Sequence, residues 1–204
     1  MAASAPRAFA LPANAVHPLT RAEWRDWLAR NHTRTQGVWF VSYKKASGQP
    51  RVEYDGAVEE ALCFGCVDSK PNKLDDTRTL LWFAPRKGST GWSAPSQWRV
   101  EKMIAAGLMQ PAGLAKVAAA KACGSWSALD AVEALVVPPD LARAFGVYPG
   151  SAERFEAFPR SAKRGILKWI STARKLETRA ARVDETARLA ADNVRANQWR
   201  KPAT

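Results

Sequence analysis

Three runs of β-branched and aromatic residues, all in the first half of the chain, constrain its fold more than any other feature. They lie at 38–43 (VWFVSY), 66–69 (CVDS) and 79–84 (TLLWFA). Runs of this composition and length are typical of β-strands. From 139 onward, apolar residues recur at helical spacing instead. We therefore predict an α+β fold, in which a small, mainly antiparallel sheet flanked by helices precedes a C-terminal helical subdomain.

Helix signals lie on both sides of the first strand. Thr20 and Glu23 match a capping box, which predicts a helix over 20–31. Asp55 can cap a second helix that ends before Gly65. With the later helices, these signals divide the chain into a flexible extension (1–19), an α+β domain (20–138), a helical subdomain (139–195) and a tail (196–204).

The chain has 204 residues and nine tryptophans. A chain of this size buries enough surface to fold without a metal or a disulfide. We expect the core to contain tryptophans from both parts, namely Trp24, Trp27, Trp39, Trp82 and Trp169. Replacing Trp39 or Trp82 with alanine should then cost about 3–5 kcal/mol. In a helix over 96–106, Trp98 and Ile104 should also face inward.

A C-x-x-C motif is formed by Cys63 and Cys66, and the third cysteine is Cys123. Redox thiols of this type lie at a helix N-terminus, whereas this pair falls at a predicted helix C-terminus, where the dipole opposes a thiolate. A zinc site requires four ligands, and no second paired motif supplies the other two. Two buried thiols that pack as small apolar side chains are therefore the favoured interpretation, and we expect no metal, cofactor or catalytic residue.

A polar loop after the third strand is a candidate anion site. Residues 86–93 (RKGSTGWS) combine two cations, three hydroxyl groups and two glycines. Backbone N–H groups, hydroxyl donors and a guanidinium can together hold an anion. With the acidic residue of the second strand, the candidate ligand residues are Arg86, Ser89, Trp92, Ser93 and Asp68. The alternative is a structural loop that fixes Trp92 in the core.

The chain is basic, with 31 Lys and Arg against 19 Asp and Glu, a formal charge of +12. This balance favours anionic partners. Basic residues are densest in 160–182, where a helical face could contact phosphates. The candidate polyanion-binding residues are Lys168, Arg174, Lys175, Arg179 and Arg182. A solvated basic face is the alternative.

Several motifs in order resemble the YdeI/OmpD-associated family, also called bacteriocin-protection proteins. They span positions from about 20 to 195. The stretches are Trp24–Leu28, Asn31–His32, Gly37–Trp39, Glu59–Gly65 with Val67–Ser69, Pro85–Arg86 with Ser89 and Trp92–Ser93, Gly107–Gly113, and Lys168–Lys175 with Glu177–Arg179 and Arg182. The resemblance implies a role in resistance to antimicrobial peptides or bacteriocins, a porin partner and a periplasmic location. It assigns no catalytic residue.

The sequence also bears on membrane insertion and on the cellular compartment. No apolar run approaches the roughly 18 residues of a membrane-spanning helix, so we expect no transmembrane segment. Prolines and polar residues interrupt the first 14 positions, which is not typical of a signal peptide. We expect a cytoplasmic protein, with the periplasm that the resemblance implies as the alternative.

Three functional hypotheses remain open at this point. The first is a non-enzymatic, stress-linked binding protein of the YdeI/OmpD-associated type. The second is a basic module that binds nucleic acid or another polyanion through 160–182. The third is a protein that binds a small anionic ligand, or an enzyme, that uses the 86–93 loop with Asp68.

Overall fold

A computed structural model describes residues 11–88 and 90–198 of the chain. The described residues form two compact units, one up to Ser127 and one from Ala128. The first unit combines a four-stranded sheet with helices, and the second is helical. The predicted α+β class is confirmed.

The described part of the first unit contains four strands and four α-helices. Its strands are β1 (Ala15–Val16), β2 (Val38–Tyr43), β3 (Cys66–Lys73) and β4 (Arg78–Pro85). Its helices are α1 (Arg21–Asn31), α2 (Tyr54–Cys63), α3 (Ala94–Ala105) and α4 (Pro111–Ala122), with a short 3-10 helix at Lys45–Ser47. Thr20 caps α1, and its hydroxyl accepts a hydrogen bond from the backbone N–H of Glu23, as the capping box predicts.

The sheet has the order β1-β2-β4-β3. β1 pairs in parallel with β2, and the other two pairings are antiparallel. Two features differ from the prediction. β1 lies in the segment 1–19 that was assigned to the flexible extension, and β3 extends to Lys73, beyond the predicted strand at 66–69. β3 is an edge strand whose residues from Ser69 to Lys73 are exposed, so hydrogen bonds to β4 hold this part of the strand in place.

The core of the first unit lies between one face of the sheet and helices α1–α4. Trp24 is completely buried at its centre, and its indole N–H donates to the carbonyl of Ala57 at 3.0 Å. The Trp24 ring packs against Phe40 and Phe83, which project from β2 and β4. Seven consecutive residues of α2, from Ala57 to Cys63, are buried, because other elements surround this helix.

Three of the tryptophans that were expected in the core lie in different environments. Trp27 packs partly buried against the core. Trp39 and Trp82 were wrongly placed in it: they are half-buried on the opposite sheet face and form a T-shaped pair with ring centroids 5.0 Å apart. Side chains alternate between faces along a strand, so Phe40 and Phe83 occupy the core side. Replacing either outer tryptophan should cost less than the 3–5 kcal/mol expected of a core position.

The inward face of α3 was also predicted wrongly. Trp98 is 58% exposed and Ile104 is 46% exposed. Val100 and Met103 are buried instead. The Lys102 ammonium lies 5.5 Å from the centroid of the Trp98 ring, so this indole lies on the outer surface of α3 beneath a cation.

The second unit contains five helices within its described residues. They are α5 (Asp130–Glu133), α6 (Pro139–Val147), α7 (Ser151–Glu156), α8 (Arg160–Ser171) and α9 (Leu176–Ala191). Their buried faces form a separate core around Phe155, Leu141 and Ile166. Trp169 packs at the edge of this core, partly buried, with the Arg182 guanidinium 5.0 Å from its ring centroid.

None of the described helices has both the length and the apolar character that crossing a membrane requires.

Candidate functional site

Three rows of side chains cross the helix-facing side of the sheet. Direct partners in neighbouring strands point to the same face, so the pairings define the rows. The row at the Lys73 end of β3, here called the outer end, is Ser42–Thr79–Lys73. The middle row is Phe40–Leu81–Pro71, and the innermost row is Val38–Phe83–Asp68. The face therefore changes from polar and cationic to apolar, and its innermost row carries a carboxylate on β3.

An open cleft of about 1000 Å³ lies over this face of the first unit. Its floor is the apolar row, and its opposite wall comes from the chain between the 3-10 helix and α2. The wall contributes Val52, Tyr54 and Ala57. Ligand pockets for small molecules commonly have volumes of about 300–1000 Å³ and largely apolar walls with a few polar groups. This cleft has that size and that lining.

Four cations line the cleft, namely Lys44, Lys45, Arg51 and Lys73. Lys44 donates to two backbone carbonyls of the β3–β4 turn, at 3.1 and 2.9 Å. Arg51 pairs with Glu53 at 2.6 Å, and Lys73 pairs with Asp76 at 2.9 Å. Both of these carboxylates are mostly exposed outside the cleft lining.

Of the four lining cations, Lys45 alone makes neither an ion pair nor a side-chain hydrogen bond with a described residue, and it is exposed. Lys44, Arg51 and Lys73 are held in place by their partners, whereas the Lys45 ammonium can turn toward a ligand. This end of the cleft therefore presents a cluster of hydrogen-bond donors with a positive charge.

The innermost polar group of the cleft is the Asp68 carboxylate. Its Oδ2 accepts a hydrogen bond from the Tyr54 hydroxyl at 2.9 Å. Burial, together with this hydrogen bond, raises the pKa of Tyr54 to about 12. A β-bulge follows, with a register shift between Asp68 and Pro71. Bulges redirect side chains, and this one keeps both residues on the cleft side.

The residues predicted from the 86–93 loop are engaged within the protein. Arg86 is only 4% exposed, and its guanidinium carbon lies 3.7 Å from the centroid of the Trp92 ring. Its Nη2 donates to the carbonyl of Gly91 at 2.8 Å. Ser93 precedes α3, and its Oγ lies 3.1 Å from the Ser96 Oγ. Ser89 lies outside the described residues.

Arg86 is an unusual buried cation. Among the described residues it has no ion pair, and its Nε has no hydrogen-bond partner. Burial lowers its pKa to about 10. The Trp92 ring face and two backbone carbonyls of the loop surround its charge, so this side chain holds the loop closed. Of the predicted ligand residues that the structure describes, Asp68 alone lines the cleft.

The C-x-x-C thiols lie in the core of the first unit. Cys63 and Cys66 are both buried, and neither forms a disulfide. Burial raises the pKa of each thiol to about 11. Within the described part of the chain, no three His, Cys, Asp or Glu side chains are grouped as a metal site requires. The two thiols pack as apolar side chains.

The predicted polyanion-binding residues fall into two groups. Arg179 holds Asp140 with two hydrogen bonds at 2.6 and 3.0 Å, which lower the pKa of that carboxyl. Arg182 donates to the carbonyl of Trp169. The other three, Lys168, Arg174 and Lys175, are exposed and make no ion pair with a described residue. They lie at the end of α8 and the start of α9.

The cleft residues on the wall were missed because no motif marks them. Lys45 and Arg51 belong to a stretch that reads as a turn, and Tyr54 reads as the residue before a helix cap. Their convergence depends on how residues 44–57 fold back over the sheet, which is a tertiary property. The basic, glycine-containing stretch between a strand and a helix was the available signal.

These features define a class: a two-unit α+β protein whose first unit carries an open, ligand-sized cleft. Residues 134–193 match a family model described as "Bacteriocin-protection, YdeI or OmpD-Associated". This part of the second unit is therefore similar to a YdeI/OmpD-associated domain. Residues 16–116 match a different model, a domain of unknown function, DUF8412, so the YdeI/OmpD-associated match is shorter than the stretch 20–195 that the motifs indicate. Comparisons with curated proteins and with solved structures gave no match.

Proposed function

We propose that the protein is a non-enzymatic binding protein whose first unit holds a small organic anion in the sheet cleft. One observation carries the proposal: four cationic side chains and an apolar floor line a single cleft of about 1000 Å³. An anionic group would be held by the lysine and arginine donors. The apolar part of the ligand would cover Phe40, Leu81 and Pro71, which contributes free energy in proportion to the area removed from water.

Decanoate is a suitable probe, because it combines one carboxylate with an apolar chain. Titration calorimetry of the full chain should show saturable binding. Lys45→Glu should weaken this binding about tenfold, since reversing a partly solvated charge near the carboxylate is worth about 1.4 kcal/mol. Lys45 is exposed and unpaired, so the substitution should leave folding intact.

Lys87→Glu is the matched control for this titration. Lys87 is also exposed, lies in the same unit and does not line the cleft. Because each substitution replaces a lysine with a glutamate, the two variants have the same net charge. Equal affinity loss in both variants would show that only the overall charge of the protein matters. No binding by the wild-type chain would remove the proposal.

The biological role that we propose is bacteriocin or antimicrobial-peptide resistance, which is what the name of the matched family model states. With a formal charge of +12, the protein would repel a cationic peptide rather than sequester it. We therefore propose that protection acts through the anionic ligand from a cytoplasmic location; the alternative is a periplasmic protein with a porin partner. A deletion strain should become more sensitive to cationic peptides, and Lys45→Glu should fail to restore resistance.

A second candidate function is polyanion binding by the second unit, favoured by the unpaired Lys168, Arg174 and Lys175. A double substitution, Arg174→Glu with Lys175→Glu, should weaken binding to a heparin column and reduce the salt dependence of that binding. Arg143→Glu with Arg188→Glu is the control, because these side chains are also exposed in the second unit. A salt-independent interaction would exclude this candidate.

A further inference from the structure

We propose that the cleft selects a two-headed ligand, with an anionic group at one end and a hydrogen-bond donor at the other. This inference rests on the proposed function and specifies its ligand class. It follows from the two ends of the cleft, because one presents hydrogen-bond donors and the other presents hydrogen-bond acceptors.

The outer end presents donors. Lysine ammonium and arginine guanidinium groups have N–H donors and no acceptor. Two hydroxyls in this row already donate to the backbone: Ser42 Oγ to the Val52 carbonyl at 3.2 Å, and Thr79 Oγ1 to the Ser42 carbonyl at 3.3 Å. The hydrogens of these hydroxyls are therefore engaged, and the four cations give this end its positive potential. A carboxylate, sulfate or phosphate satisfies it.

The inner end presents acceptors. The Tyr54 hydroxyl proton is used by Asp68 Oδ2, and the pKa of about 12 keeps that phenol protonated at neutral pH. The remaining capacity of the phenol oxygen is to accept. Asp68 Oδ1 makes no hydrogen bond to a described residue. A ligand group that reaches this end must therefore donate, as an ammonium, an amide N–H or a hydroxyl does.

Neighbouring charges do not cancel the acceptor character of this end. The Arg99 guanidinium lies 5.8 Å from the centroid of the Tyr54 ring, but it is paired with Asp55 at 2.5 Å. The Arg86 charge acts on Asp68 through space, and Arg86 spends its Nη2 donor on loop carbonyls. Neither arginine hydrogen-bonds Asp68, so its free oxygen stays available.

The strands also set the length of the ligand. Ser42 and Val38 mark the outer and inner rows on β2, four residues apart. At about 3.4 Å per residue, the rows are separated by about 14 Å. Between them lies the apolar row, so the middle of the ligand is hydrocarbon or aromatic.

Three probes with the same ten-carbon chain test this inference: decanoate, 10-aminodecanoate and decanedioate. The wild-type chain should bind 10-aminodecanoate about tenfold more tightly than decanoate, because its ammonium makes a charge-assisted hydrogen bond to Asp68. Decanedioate should bind more weakly than decanoate, since its second carboxylate meets another carboxylate.

Asp68→Asn should remove the preference for 10-aminodecanoate over decanoate, and circular dichroism shows whether the variant is folded. If decanoate binds wild type as tightly as 10-aminodecanoate, the inference is wrong and the proposed anion site stands. If none of the three acids binds, the proposed function fails and the inference fails with it. If the Asn variant loses decanoate binding, the three-probe ranking in the wild-type chain decides.

Discussion

At the scale of single residues, two helical glycines make opposite demands. A Cβ on Gly113 would lie 2.2 Å from the carbonyl oxygen of Cys63, so α4 approaches the end of α2 only because the side chain is missing. A Cβ on Gly165 in α8 would meet nothing within 4 Å. Gly113→Ala should therefore destabilise the protein by about 2–3 kcal/mol.

Gly165→Ala should instead stabilise it by about 0.5–1 kcal/mol, because alanine loses less conformational entropy in a helix. Urea unfolding of both variants measures the difference. A neutral Gly113→Ala variant would contradict the close contact between α2 and α4.

The three thiols should differ in reactivity because only one is exposed. Burial raises the pKa of Cys63 and Cys66 from 9.0 to about 11, whereas the hydrogen bond with Ser125 lowers the pKa of Cys123. At pH 8, a disulfide reagent such as DTNB should modify Cys123 in the native protein, and the other two only after unfolding in urea. Cys123→Ser should abolish the native reaction.

The same thiols make stability depend on alkaline pH. A pKa that is raised by folding stabilises the native state below the unfolded value, and this contribution is lost as pH rises. Stability should therefore be constant up to about pH 9 and should decline toward pH 11. Rapid native modification of Cys63 or Cys66 would instead indicate an accessible, activated thiol pair.

At the scale of elements, α2 contains two adjacent buried carboxylates. Glu59 and Glu60 are 2% and 3% exposed. Arg21 pairs with both, Arg25 pairs with Glu60 at 2.5 Å, and Lys102 pairs with Glu59 at 2.5 Å. All four carboxylate oxygens are thus engaged, which ties α1 and α3 to α2.

Glu60→Gln should cost about 2–3 kcal/mol, because it leaves two guanidinium groups without their charged acceptor. The exposed Glu101 of α3 provides a control, and Glu101→Gln should change stability by less than about 0.5 kcal/mol. Chemical denaturation of both variants is the measurement. A loss for Glu60→Gln as small as that of the control would show that solvent replaces these ion pairs.

Local patterns predicted the elements well and their environments less well. The three main strands, the α1 cap and the helical second half follow from residue type and spacing. The inward placement predicted for Trp39, Trp82 and Trp98 was wrong. Each of their elements carries large apolar side chains on both faces, so residue type did not identify the face that meets the core. The buried Glu59–Glu60 pair was missed because its cations come from other helices.

The candidate site was predictable in part for a related reason. Asp68 stands out as an acidic residue on a strand, whereas the cations of the cleft come from an irregular segment and an edge strand. The 86–93 loop has the composition of an anion site, but Arg86 is buried against Trp92. Composition cannot distinguish a guanidinium that faces a ligand from one that closes its own loop.

At the scale of the whole molecule, the two units have separate cores. The buried residues of the first core run from Trp24 to Ala120, and those of the second run from Leu129 to Ala196. The family matches divide in the same way, at 16–116 and 134–193. Each unit should therefore fold without the other.

A fragment that begins at Ala128 tests this expectation. It should show helical circular dichroism and a cooperative thermal transition, because its core is complete within the fragment. Phe155→Ala in the same fragment removes a ring that is 1% exposed and packs against Phe145 and Phe158. This substitution should cost about 3–5 kcal/mol, which is enough to unfold a marginally stable fragment. Val147→Ala, at a 71% exposed position, should leave the transition unchanged. A fragment that melts without cooperativity would mean that the second core needs the first unit, and the division into two folding units would be wrong.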